Sequence, residues 1–201
     1  MNRREPISDA LCDLIHEKAK PYLDTRNNEV HISLSYAFAK RLLASYPEAE
    51  SAIILPAILL HDVGWKMVPE EDQLKAFGPN ARDKELQRVH ESEGARIAGE
   101  ILESLGYGRK ETLEIVAIIE GHDSRLEALS LNDALVKDAD KLWRFTPEGA
   151  EIDHLRFGME RSRHLEALSG FLEKWFFTAE AKQMAREALE EARAATRRDG
   201  K

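Results

Sequence analysis

The sequence predicts an all-α protein, and three observations predict it. Ala, Leu and Glu, all good helix formers, supply 25, 24 and 25 of the 201 residues. Val and Thr, whose branched side chains suit a pleated sheet, supply only 11 between them. Apolar positions recur at helical spacing rather than alternating, so about nine helices with short connections are expected, without internal repeats or low-complexity linkers. A chain of this length fits one domain, 1–201, with a core at about 28–145 and a C-terminal helical extension at about 146–198.

The first helix is expected from about Ser8 to Lys20, with Ile7, Ala10, Leu11, Leu14 and Ile15 at helical spacing and Pro21 ending it. A second, from Asn28 to Ser45, presents Val30, Leu34, Ala37, Phe38 and Leu42 on one side and stops before Pro47. The stretch 52–64, AIILPAILLHDVG, is apolar almost all round until His61, which marks a central buried helix, started or kinked at Pro56 and ended by Gly64. Between 69 and 82, Pro69, Gly78, Pro79 and Asn80 predict a short helix followed by a mobile loop over whatever the central helix presents. Amphipathic helices follow at Lys84–Leu105 and Arg109–Glu120, each closed by a glycine, and at Asn132–Phe145. Thr146 and Pro147 then read as a cap and first-turn pair opening a helical remainder to about Arg198, with a new start at Thr178. Phe171, Leu172, Trp175 and Phe176 form an apolar group there, read as core packing with a partner surface as the alternative.

The net charge of −8 disfavours a nonspecific grip on a nucleic-acid polymer or an anionic membrane, and leaves room for a small phosphorylated ligand. Cys12 stands alone, which excludes an intrachain disulfide and a cysteine-rich metal site and fits a reducing cytoplasm. The N-terminal stretch lacks the apolar run of a signal peptide because Asp9 and Asp13 interrupt it, and no segment approaches the ~20 apolar residues that span a bilayer.

Chemistry is expected at the end of the central helix. His61 and Asp62 form an ionisable pair in the most hydrophobic part of the chain, where an uncompensated charge is costly and a divalent cation compensates well. A satisfied core histidine beside a capping aspartate is the plainer alternative for such a dipeptide. His31 upstream and Asp140 downstream, the latter inward on an apolar helix, complete two imidazoles and two carboxylates from three helices. That donor set suits Mn, Fe, Co, Ni or Zn and leaves coordination positions for water and substrate.

The order His, His-Asp, Asp resembles the HD-domain superfamily of metal-dependent phosphohydrolases. The surrounding segments are similar too: LLHDVG at 59–64, HESEGARIAGEIL at 90–102, IIEGHD at 118–123 and DADKL at 138–142. The resemblance covers roughly residues 28–145. It implies an HD-type helical bundle with C-terminal helices packed on it, His31, His61, Asp62 and Asp140 as metal ligands, and Asp140 rather than Asp138 as the ligand of DADKL. His90 and His122 stand where two-metal relatives carry extra histidines, so one or two ions are expected. These histidines either complete a second metal site or transfer protons and, with Asp62, make up the catalytic set.

The function implied is hydrolysis of a phosphoester, a small nucleotide or related mono- or diester, by a metal-activated water. Lys66 and Arg125 are the candidates for substrate phosphate, with Lys141 and Arg144 as further cations near the ligands and Asp123 as an orienting group. Trp65 interposed before Lys66 and the absence of a GYP motif count against a cyclic dinucleotide. His16, His154 and His164 are read as solvated. Two rivals share the ligand set: a di-iron oxygenase, and a non-catalytic metal-binding sensor or interaction domain. A homodimer through the C-terminal helices stays open.

Overall fold

The computed structural model describes residues 6–79 and 81–199; Met1 to Glu5, Asn80, Gly200 and Lys201 lie outside the described residues. Among the described residues there are ten α-helices, two 3-10 segments and no strand. Helix α1 (Asp9–Leu23) opens on Ser8, whose hydroxyl accepts from the Leu11 amide. Pro21 does not end it. It falls in the last turn, where one lost backbone bond is tolerated because Tyr22 and Leu23 still pack on the core.

Helix α2 (Asn28–Ser45) buries His31, Ile32, Ser35, Phe38 and Leu42, while Val30 and Ala37 face outward. The buried side is rotated from the one apolar residues alone suggest, because it includes the polar residues Asn28, His31 and Ser35. Helix α3 (Ser51–Leu60) is the central helix, buried from Ile53 onward. Pro56 lies inside it rather than starting it. The carbonyl that its missing N–H would have engaged, that of Ala52, accepts the Tyr107 hydroxyl at 2.5 Å instead. The helix stops at Leu60, four residues before Gly64, and a 3-10 segment runs over Val63–Met67.

Helix α4 (Glu70–Ala76) is short, and the chain returns through 77–83, where the Arg82 and Asp83 amides donate to the Lys75 carbonyl. Helix α5 (Lys84–Ser104) is capped by Asp83, α6 spans Arg109–Ile119, and α7 (Leu131–Leu142) is capped by Ser130. A second 3-10 segment, Trp143–Phe145, leads into α8 (Pro147–Arg156), opened by the expected Thr146 cap. The remainder is not one helix. Gly158, at φ +60, turns the chain out of α8 before α9 (Arg161–Trp175), and α10 (Ala179–Asp199) restarts after Thr178.

One continuous apolar core runs from Cys12 and Ile15 of α1 to Leu189 and Ala192 of α10. Helix α3 touches α1, α2, α6 and α7 around it, and α10 closes the bundle against α2, α7, α8 and α9. Among the described residues, no single helix is long and apolar enough to cross a membrane. The packing leaves the C-terminal end of α3 facing α2, α5, α6 and α7, and there the polar residues gather.

Candidate metal centre

His31 comes from the first turns of α2, His61 and Asp62 from the residues just after α3, His90 from α5, His122 from the turn after α6, and Asp140 from α7. All six are at most 6% exposed. Five separate segments thus deliver imidazoles and carboxylates into one buried space, which apolar packing alone would not favour.

The donor atoms converge. The Nε2 atoms of His31 and His61 lie 2.8 Å apart, and each lies close to Asp140 Oδ1, at 3.4 and 3.3 Å. Asp62 stands between two groups. Its Oδ2 is 3.4 Å from His31 Nε2, while its Oδ1 is 3.8 Å from His122 Nε2 and 3.9 Å from His90 Nε2. Asp123 Oδ2 completes the far side, 3.4 Å from His90 and 3.8 Å from His122. Ligands held ~2.0–2.2 Å from one cation sit roughly 2.8–4.2 Å from each other, so these spacings fit shared coordination. Three overlapping clusters can each hold an ion: His31, His61 and Asp140; His61, Asp62 and His122; His90, His122 and Asp123.

Hydrogen bonding aims the rings. His61 and His122 each direct Nδ1 at a backbone carbonyl three residues back, those of Ile58 and Ile119, at 2.9 and 2.8 Å. With Nδ1–H donating outward, the Nε2 lone pair is left facing the centre. Neither ring nitrogen of His90 has a hydrogen-bond partner although the residue is wholly buried. Such orphaned atoms are costly, and a cation at Nε2 relieves the cost.

Burial opposes charge on His61, yet Asp62 and Asp140 override it and lift its pKa to about 9. His31 goes the other way: burial, beyond what Asp62 offsets, lowers it to about 3. Asp62 and Asp140 are both held well below the usual carboxylate range, because the neighbouring histidines outweigh the cost of burial. The centre therefore presents two ionised carboxylates at neutral pH.

Gly64 and Gly94 explain how α5 comes so near. A Cβ on Gly64 would lie 1.9 Å from the His90 carbonyl oxygen and 2.5 Å from the Gly94 nitrogen. Gly64 is thus a contact point rather than a helix stop. Trp65 stacks on the His90 ring at 4.0 Å and donates its indole N–H to Asp62 Oδ1. Glu91, fully buried, accepts from the Asp123 and Ser124 amides and so sets the segment bearing His122 and Asp123.

The cations that face the centre are not those expected. Lys66 is exposed, with its ammonium near the Asp24 carbonyl, and Arg125 is engaged by Asp133 and the Ala117 carbonyl; neither lines the space over the metal ligands. Arg26, Arg144 and Arg156 do line it. Arg26 is sandwiched 4.0 Å from both the Trp65 and Phe77 rings and 3.9 Å from Asp62 Oδ2, and its Nε and Nη1 make no hydrogen bond. Burial lowers its pKa to about 10, so it stays charged at neutral pH. It sits in a strained turn, with Arg26 and Asn27 both at positive φ, 59° and 58°. Arg144 and Arg156 are forked by the two oxygens of buried Asp153. Arg26 and Glu91 carry no local signal: one lies in a polar loop, the other among ordinary helical glutamates.

Other assignments also change. His164 is buried, not solvated, and its Nε2 lacks a partner; His154 is largely covered, bonded to Glu151 and the Met159 carbonyl, while His16 is partly exposed. Cys12 is a core residue. Phe176 is buried in the core, whereas Trp175 lines a cavity of about 470 Å³ that opens beside the centre and shares Phe77, Asp123, Asp140 and Arg144 with it.

A helical bundle that draws histidines and aspartates into a buried cage defines a fold built to hold divalent cations. Residues 30–144, more than half of the chain, match the HD domain family, and the chain belongs to it. Searches of curated proteins and of solved structures gave no match. HD domains bind divalent metals and form a superfamily of metal-dependent hydrolases, which agrees with the chemistry of this donor set.

Proposed function

We propose that the protein is a phosphohydrolase working with two divalent cations. The observation that carries this is the central position of Asp62, whose Oδ2 faces His31 and whose Oδ1 faces His61, His122 and His90 at 3.7, 3.8 and 3.9 Å. His31, His61, Asp140 and Asp62 would hold one ion; His90, His122 and Asp62 would hold the other. A cation pair there lowers the pKa of water and neutralises charge developing on phosphoryl oxygens.

The chain's own residues do the rest. Arg26, with unpaired N–H groups facing the ligands, takes one phosphate oxygen, and Arg144 takes another from the cavity side. The stack of Trp65, Arg26 and Phe77 fixes the guanidinium in place. Asp123, held through its backbone by Glu91 and open to solvent on one side, accepts the proton of the attacking water. The buried arginines over the ligands favour an anionic substrate, as a phosphoester is.

The test is metal analysis of the purified protein, followed by a phosphoester screen across Mn, Fe, Co, Ni and Zn. Two ions per chain and turnover lost in Asp62→Ala are expected. Iron with oxygen consumption would assign the site to the oxygenase, and a loaded protein inert to every ester would leave a binding role.

A further inference from the structure

We propose that the cavity beside the metal centre is the leaving-group site and takes a flat aromatic ring, making the substrate a phosphate ester of an aromatic alcohol. This rests on the phosphohydrolase reading. The cavity's volume of about 470 Å³ is that of a small-molecule site. Its walls are Phe77, Phe157, Leu168, Phe171 and Trp175, the last two stacked face to face with centroids 4.4 Å apart. Phe77 is the shared partition: one face meets Arg26, and the ring lies edge-on to Phe157 at 5.9 Å. A phosphate between Arg26 and Arg144 therefore directs its ester oxygen toward an aromatic slot.

The carboxylates of Asp153 and Asp83 on that slot are engaged: Asp153 holds Arg144 and Arg156, and Asp83 caps α5. Arg82, Lys84, Gln87 and Lys141 line it as well. His164, 5% exposed, is a further lining residue, and its Nε2 is buried without a hydrogen bond. The roof is fitted as well: Gly78, at φ +88, lies so close to Phe157 that a Cβ would stand 2.4 Å from the ring. Of the aromatic and apolar walls, Phe157, Leu168, Phe171 and Trp175 come from α9 and the residue after α8, beyond the HD-domain region.

The test is equilibrium binding to the manganese-loaded protein, read by tryptophan fluorescence and calorimetry. The probes are naphthylmethylphosphonate, methylphosphonate, which carries the same anion without the ring, and 2-naphthol, the ring without the anion. The naphthyl phosphonate is expected to bind at least about tenfold tighter than methylphosphonate. Ala167→Phe, at an exposed position on the cavity wall, and Phe171→Ser should bring that ratio within about threefold. Equal affinities in the unaltered protein, or a ratio that survives both substitutions, would overturn the inference. If neither phosphonate binds but 2-naphthol does, and Ala167→Phe abolishes it, the phosphate reading fails while the ring site stands. If no probe binds, both fall.

Discussion

Asp138 and Asp140 stand two positions apart on α7, roughly 200° around the helix, and face different structures. Asp138 accepts from the Phe177 and Thr178 amides and the Thr178 hydroxyl, tying α7 to the start of α10. Asp140 lies 3.3 and 3.4 Å from the His61 and His31 nitrogens. Burial lifts Asp138 to about 6 against its three donors, whereas the histidines hold Asp140 low despite its burial.

The two aspartates should therefore fail differently. Asp138→Ala strands three donors at the α10 N-terminus and should cost roughly 2–4 kcal/mol of stability while metal content is retained. Asp140→Ala should lose an ion. Denaturant unfolding and metal analysis on the two variants separate the effects. Metal loss in Asp138→Ala at full folding would contradict the assignment.

Metal uptake should release protons. Without metal, His61 carries a charge until about pH 9, and a cation at Nε2 must displace that proton. His31, near 3, is already neutral and releases none. About one proton per chain should appear at pH 7.5, measured by calorimetry in buffers of different ionisation enthalpy. The sign for stability follows from the same residue. The folded pKa of His61 is raised, so its contribution to the metal-free chain is present below about 6.5 and lost as pH rises through about 9.

What the sequence disclosed depended on how local the signal was. His61 and Asp62 stand out because they end the most apolar stretch of the chain, and Asp140 because it interrupts an apolar face. Helices α2, α5 and α6 lie within a residue of expectation, whereas α7 ends at Leu142, three residues before the expected Phe145, where the chain tightens into a 3-10 segment. Arg26 was hidden because its role comes from a strained loop brought under Phe77 by α4, a contact across fifty residues. Lys66 and Arg125 are near the ligands in sequence, but the 3-10 segment and Asp133 turn them elsewhere. The break at Gly158 was concealed by good helix formers on both sides, since a single left-handed residue leaves no trace in periodicity.

Gly64→Ala should uncouple the two halves of the centre. The added methyl meets backbone on α5 rather than a side chain that can swing away, so α5 must retreat and carry His90 from Asp62. Overpacking of this kind costs roughly 1–3 kcal/mol. Metal content should fall from two ions toward one, while His31, His61 and Asp140, which do not lie on α5, keep theirs. Full occupancy in this variant would show that the glycine contact is not what positions His90.

Arg26→Ala should lower kcat/KM for a phosphoester by about two to three orders of magnitude, the scale seen when a positioned charge donor is removed from a reacting anion. Metal content should hold, because the guanidinium lies 3.9 Å from Asp62 Oδ2 and is not itself a ligand. Lys66→Ala, at an exposed side chain, should stay within about twofold on the same assay. Arg125→Ala should act on stability instead, since it removes one of the partners of buried Asp133. Steady-state kinetics on the three variants decide between these roles: a large loss in Lys66→Ala with Arg26→Ala unaffected would place the phosphate on the opposite side of the ligands.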